Sequence, residues 1–346
     1  MTLSPELIIL DVGQGNCTLL KNTECTIVID CPPGITLIET LIELKIQEVS
    51  HLLISHADKD HIAGIHTLLR CKEIKVQAVH INPEFNRNQK EWNRLKSSLK
   101  DAKDRYKLKL FTQLTTSTTS LIQTGAVEVE VIAPAPELML IGGSGTVDDS
   151  GSLLNSNSMS AVVAFFHNDH RIALSTGDLD EIGLENLLME NPNLKSDILI
   201  FPHHGGRPSS KNNGIEFTKK LCGLVQPKLV IFSNGRGHYD HPFKEIVDTV
   251  IATVLNVHIL CTQLSRNCSQ VDLTDLSDHL HSLPAKGKST KNCCGGTVVV
   301  KINGKETTYS PEAKAHKNFI VAKVSTPLCS DLLTKQASAN DIGKDS

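Results

Sequence analysis

The stretch that most constrains this chain is Ser55-His56-Ala57-Asp58-Lys59-Asp60-His61. It follows the apolar run 49–54, where Leu52, Leu53 and Ile54 read as a short buried strand. A strand that stops and at once offers His56, Asp58, Asp60 and His61 can wrap imidazoles and carboxylates around one point. That donor set suits Zn²⁺, Mn²⁺ or Fe²⁺ better than a thiolate-loving ion, and later residues would let the loop serve two ions. A polar surface loop that merely happens to be rich in His and Asp is the weaker reading, given four candidate ligands within six positions.

With 346 residues, 40% of them hydrophobic, the chain can fill a sizeable core as one large α/β domain or two small ones. Its net charge of -3 excludes a broadly basic nucleic-acid binder, so any polyanion must be met by a local basic groove. No run approaches the roughly 18 apolar residues that span a bilayer, and the start lacks a signal peptide's pattern, so a cytoplasmic location with no membrane partner is expected. Of the ten cysteines, Cys17, Cys25, Cys31, Cys71 and Cys222 sit in apolar surroundings and read as inert packing thiols.

Taken in order, runs 7–12, 17–20 and 26–30 read as three strands joined by tight turns, the first turn being Gly13-Gln14-Gly15-Asn16. Asp30 ends its strand at the same sheet end as the His-Asp loop if the strands are parallel neighbours. It either orients a ligand histidine from behind or makes a turn hydrogen bond. Helical spacing marks 37–44, a start at 62–69, the basic stretch 89–109 and 245–257, with a further strand at 75–81. The basic stretch reads better as a solvated helix face than as a nucleic-acid contact. Residues 161–166 and 171–176 read as a hairpin ending in Gly177-Asp178; Asp178 either bridges two ions or caps the helix that begins near Glu181. Strand 197–201 delivers His203-His204, and strand 228–232 leads to His241-Pro242. Adjacent histidines point to different sides, so at most one of the pair should face a given metal while the other donates a proton or hydrogen bond.

Together, the strand-end Asp30, His56-x-Asp58-x-Asp60-His61, Gly177-Asp178 and a later histidine resemble the metallo-β-lactamase superfamily. Within it, Asp11-Val12-Gly13-Gln14-Gly15, His203-His204-Gly205 and His241-Pro242 look like the ComEC-like branch, over about residues 7 to 262. The resemblance implies a four-layer αββα sandwich, a water activated by two divalent ions (Zn or Mn), and a phosphodiesterase or nuclease acting on DNA or nucleotides. It also implies His56 and Asp58 on the first ion, Asp60 and His61 on the second, Asp178 as bridge and His241 as last ligand. One of His203 and His204 completes the first site while the other, with Asp60, serves the chemistry; the assignment adopted is His203 to metal and His204 to proton transfer. Two departures stand out: Asp58 occupies a position where a histidine is common, and Asn16 replaces the usual fourth-position Asp. The membrane channel of ComEC has no counterpart here, so a free-standing enzyme is expected. Arg207, Lys211 and Arg236 flank the later loops and are candidates for a substrate phosphate. A thioesterase- or lactone-cleaving hydrolase on the same fold is the first alternative, because loops choose the substrate. A non-catalytic component of a bacterial defence or DNA-handling system, with a protein partner, is the second.

The expected domain runs from 1 to 305 with a Cys-rich insert at about 261–296, followed by a partly disordered extension, 306–346, frayed from about Ser325. Strands at 258–260 and 297–302 lying side by side would gather Cys261, Cys268, Cys293 and Cys294 as a structural Zn²⁺ site, a redox pair or unbonded thiols.

Overall fold

The computed structural model describes residues 4–83, 90–141, 145–147, 151, 153–208, 214–237, 239–304 and 306–329. Its strands are β1 (Glu6–Ile9), β2 (Thr18–Lys21), β3 (Thr26–Ile29), β4 (Glu48–Ile54), β5 (Lys75–Ile81), β6 (Lys109–Phe111), β7 (Glu128–Ala133), β8 (Val162–His167), β9 (His170–Ser175), β10 (Ile198–Ile200), β11 (Leu229–Phe232), β12 (His258–Cys261), β13 (Val298–Asn303) and β14 (Glu306–Ser310). They form two sheets, ordered β14-β13-β1-β2-β3-β4-β5-β6 and β12-β11-β10-β9-β8-β7.

Each sheet is half hairpin and half crossover. β1, β2, β3, β13 and β14 pair antiparallel, whereas β3 through β6 run parallel. In the second sheet β7, β8 and β9 are antiparallel, and β9 through β12 are parallel. Parallel neighbours need a connection that crosses back over the sheet face, and the helices Thr36–Glu43, Lys90–Tyr106, Glu181–Glu190, Gly214–Val225 and Lys244–Thr253 supply it. The period-2 pattern then sorts side chains between layers: Leu7, Ile9, Leu53, Val129, Phe165 and Ile231 fill the space between the sheets. Ile8, Leu52 and Ile54 instead meet Leu37, Leu41 and Leu95 of the first helix layer. Leu174, Leu199 and Val230 meet Leu184, Leu221 and Val250 of the second. The result is the expected four-layer αββα sandwich.

Three expectations change. The strands at 258–261 and 298–303 belong to different sheets, so they do not pair; an isolated bridge, Gln263 to Cys293, and backbone hydrogen bonds from Gly295 N–H to the Cys261 carbonyl and from Cys294 and Gly296 N–H to the Thr262 carbonyl link their flanks. The boundary at 305 falls inside the β13–β14 hairpin, and the helix Ala313–Lys323 that follows packs Phe319 and Ile320 into the second helix layer. The helix start at 62–69 divides into two short helices, Lys59–Ile62 and Ile65–Leu68, because Gly64 turns its N–H to the Cys31 carbonyl at 2.9 Å. Residues 330–346 lie outside those described.

Candidate metal centre

Parallel strands end on the same side, so the loops after β3, β4, β9, β10 and β11 meet along one edge of the sandwich. β3 leads directly into Asp30, held at φ 61 and fully buried. Its Oδ1 accepts the Ser55 N–H at 2.8 Å, and its Oδ2 accepts the Ser55 hydroxyl at 2.7 Å. Oδ2 also lies 2.7 Å from His61 Nδ1, so His61 donates its Nδ1–H to Asp30 and Nε2 is the ring nitrogen turned to the cluster.

The same arrangement recurs twice. His204 Nδ1 donates to the Ser233 carbonyl at 2.7 Å. His56 Nδ1 faces the hydroxyls of Ser55 at 3.1 Å and Ser160 at 3.5 Å. In all three rings the remaining nitrogen is turned toward Asp178: His61 Nε2 lies 3.4 Å and His204 Nε2 3.6 Å from Asp178 Oδ1, and His56 Nε2 lies 3.7 Å from Oδ2. Asp60 Oδ2 is 3.3 Å from His204 Nε2, and Asp58 Oδ2 is 3.7 Å from His56 Nε2.

These distances decide what the cluster is for. Among the described residues His56 Nε2, His61 Nε2, His204 Nε2 and Asp178 Oδ1 are buried without a hydrogen-bond partner, although burying such a group unsatisfied costs about 1–3 kcal/mol. Four orphans side by side would be heavily destabilising unless something else satisfied them. Separations of 3.3–3.7 Å match the edge of a tetrahedron around an ion with bonds near 2.1 Å, which is about 3.4 Å. Two groups among the described residues bring their ligand atoms within 4.8 Å of one another, His56 with His61 and Asp178, and Asp60 with His61 and His204. The donor set therefore fits divalent cations.

The electrostatics agree. Burial alone would raise the Asp178 carboxyl, but His204 and His61 hold it well below the usual range. Burial likewise opposes a charge on His61, yet Asp178 and Asp30 push its pKa well above normal. The cavity is thus built around positive charge.

Asp178 reaches this point because its N–H donates to Ser160 Oγ, and the helix cap weighed for it belongs to Asp180, which accepts from Gly183 N–H. His203 and His204 both adopt positive φ, 54 and 57, and both rings reach the Asp178 carboxylate, so the expectation that the pair point to different sides does not hold. His203 stands at the rim with Nδ1 3.4 Å from Asp178 Oδ2, outside both ligand groups. His241, expected as the last ligand, is also outside them; its ring packs edge-on to Phe243, 6.4 Å from that of His203, and burial lowers its pKa to about 4.

Residues 10–150 match the family described as "Metallo-beta-lactamase superfamily". Over those residues the chain resembles that superfamily. It is 27% identical over 213 residues to ComE operon protein 3 of Bacillus subtilis (strain 168), a match covering 61% of this chain and 23% of that one. The chain therefore spans less than a quarter of that relative. Solved structures similar to it include the metallo-beta-lactamase fold protein YhfI from Bacillus subtilis, with 10% identity, TM-score 0.45 and coverage of 74% of this chain and 96% of that one. Igni18, a metallo hydrolase from Ignicoccus hospitalis KIN4/I, aligns at 11% identity and TM-score 0.42 over 74% of this chain and 94% of that one. No described helix is long and apolar enough to cross a membrane.

Within the matched residues the Gly13-Gln14-Gly15 turn braces the His56–His61 loop. A Cβ at Gly15, where φ is 122, would lie 2.4 Å from the Asp60 carbonyl. Asn16 is buried, and its side-chain oxygen has no hydrogen-bond partner among the described residues. Asp11 is buried, and its carboxylate accepts from Gln263 and from the Gly13 and Gly287 N–H groups, tying the Cys-rich insert to the same turn.

Two of the phosphate candidates are otherwise engaged. Arg236 bonds Asp272 and the carbonyls of Leu264 and Ser269, with only 5% of its side chain exposed, and so anchors the insert. Arg207 pairs with Glu245 over the Phe243 ring. Lys211 lies outside the described residues. The ten cysteines are free thiols, and among the described residues they form none of the candidate ion sites. Cys293 turns to Asp11 at 3.6 Å, whereas Cys294 turns the other way to His316 Nε2 at 3.2 Å.

Proposed function

We propose that this chain is a hydrolase dependent on two divalent ions, Zn²⁺ or Mn²⁺, that cleaves phosphodiester bonds in DNA or another nucleotide substrate. The observation that carries it is the convergence of three unpartnered Nε2 atoms on Asp178. His56 and Asp58 would hold one ion, Asp60, His61 and His204 the other, with Asp178 between them. This reading gives His204 the ligand place first expected of His241, and moves proton transfer to His203.

The ions, when bound, lower the pKa of a shared water toward neutrality and offset negative charge on the reacting phosphate. The chain's own groups do the rest. Asp60, with 29% of its side chain exposed, faces the cleft and is placed to orient the attacking water. His203, with 30% exposed, is tethered through Nδ1 to Asp178 and by Asn157, leaving Nε2 to give a proton to the departing oxygen. Asp30, Ser55, Ser160 and the Ser233 carbonyl fix the ligand rings.

The test is hydrolysis of bis-p-nitrophenyl phosphate and single-stranded DNA against thioester and lactone substrates, each with Mn²⁺ or Zn²⁺. Turnover of the phosphodiesters, abolished by Asp178→Asn and slowed by His203→Ala with the metal retained, is expected. Cleavage confined to thioester or lactone refutes the phosphodiesterase reading, and a protein that takes up no metal refutes the hydrolase.

A further inference from the structure

Beside the metal groups lies a cleft of about 460 Å³ that shares Asp60 with them. Its walls come from four places distant in sequence: the Gly13-Gln14 turn, Lys59 of the metal loop, Tyr239, and Lys286 and Asn292 of the Cys-rich insert.

Among the described residues the ammonium groups of Lys59 and Lys286 have no carboxylate or other polar partner. Asp60 is the only acid among the described residues of the lining, and the Arg236 guanidinium is already neutralised by Asp272. Lys286 is held by its own N–H on the Asp11 carbonyl at 2.8 Å, and its side chain lies over Gly13, where a Cβ would come within 2.9 Å of Nζ. A second observation is independent of charge. Asn292, 92% buried, and Gln14 each leave a side-chain amide oxygen without a hydrogen-bond partner among the described residues, and both line this cleft. Buried amides left unpaired are costly and call for a ligand with polar edges. Thirdly, Tyr239 sits at the rim 56% exposed, its ring stacked on His241 with centroids 5.6 Å apart and planes at 23°. A ring backed by His241 and 56% exposed offers an aromatic surface at the cleft rim on which a base can stack.

Two cations, one supported aromatic face and two amides in one cleft match the parts of a nucleotide: phosphate, base face and base edge. A base can lie on a tyrosine only after leaving its own stack, which favours an unpaired strand over a duplex. Given the phosphodiesterase reading above, we propose that this cleft seats the nucleotide next to the cleaved bond in a single strand of nucleic acid. Lys59 and Lys286 take its phosphate, Tyr239 its base face, and Gln14 and Asn292 its base edge. The Cys-rich insert is then a substrate-recognition element, tied to the metal loop's brace through Asp11.

The protein is titrated with a labelled single-stranded oligothymidylate, read as Kd by fluorescence anisotropy, or as KM from initial rates where the strand is cut. Lys286→Glu and Tyr239→Ala should each weaken binding about tenfold, and Lys286→Ala should reduce the slope of log Kd against log salt by about 1. Lys286→Arg and Tyr239→Phe should bind within about twofold of the parent, which a merely unfolded variant could not do. Lys72→Glu, the same charge change at a lysine outside the cleft, should leave Kd unmoved. Kd within twofold of the parent for both Lys286→Glu and Tyr239→Ala overturns the assignment, as does an equal loss in Lys72→Glu. Hydrolysis of bis-p-nitrophenyl phosphate by the parent reports separately on the hydrolase reading: intact turnover with unmoved Kd values refutes the cleft alone, and absent turnover with shifted Kd values refutes the hydrolase alone.

Discussion

Replacing Asp30 by Asn isolates the charge that sets the His61 tautomer. In the parent, Oδ1 accepts the Ser55 N–H while Oδ2 accepts from the Ser55 hydroxyl and from His61 Nδ1, each at 2.7–2.8 Å. An asparagine of the same shape keeps its oxygen on the Ser55 N–H, which places its NH₂ where Oδ2 was. That NH₂ now confronts two donors. The serine can rotate its hydroxyl, but His61 relieves the clash only by giving up its Nδ1 proton and carrying one on Nε2, the atom that faces Asp178 at 3.4 Å. A protonated Nε2 has no lone pair for an ion. Losing an outer partner of this kind lowers metal affinity about 10- to 100-fold, or about 1.4–2.7 kcal/mol. Because the substitution is isosteric and leaves no buried donor alone, stability of the metal-free protein should change far less. Asp30→Ala is the contrast: it strands three buried donors at about 1–3 kcal/mol each, a large part of the 5–15 kcal/mol typical of a domain. The assay is competition for Zn²⁺ against a chelator of known affinity, beside urea unfolding in EDTA for all three proteins. The reasoning fails if Asp30→Asn binds zinc within twofold of the parent.

Other outcomes follow from the geometry. Gly15→Ala pushes a methyl against the Asp60 carbonyl and should weaken the Asp60–His61–His204 ion more than the His56 ion; two-step zinc titration reads this, and equal loss at both contradicts it. His258 sits between Tyr309 and His316, and burial, then the His316 charge, lower its pKa to about 3. The unfolded chain protonates near 6.5, before the folded one. Stability from this group is thus complete above pH 6.5 and lost as pH falls toward 3, at no more than about 1.4 kcal/mol per unit. Urea midpoints at pH 7 and pH 5 in EDTA should differ less in His258→Gln than in the parent, and an equal drop in both contradicts the assignment.

Much of the site could be read along the chain because its cause is local. An apolar strand that ends in His-x-Asp-x-Asp-His places those side chains at a sheet edge whatever the rest of the fold does, and the same holds for Gly177-Asp178. What escaped the sequence depends on long-range placement. Positive φ at His203 and His204 turns one ring into the cluster and the other to its rim, and no neighbouring residue announces that. β12 and β13 have the same strand character, so nothing local says they join different sheets and leave Cys293 and Cys294 facing opposite ways. Arg236 resembles a phosphate ligand until the insert folds back and its guanidinium meets Asp272 and two carbonyls. Lys286 and Tyr239 carry no local signal, because they join Asp60 in one cleft only in the folded chain.

Anomalous diffraction from crystals grown with Mn²⁺ bears most directly on the metal centre. Two peaks about 3.5–4 Å apart should flank Asp178, one against His56 and Asp58 and the other against Asp60, His61 and His204. Absence of density between these side chains in manganese-saturated crystals would contradict the account.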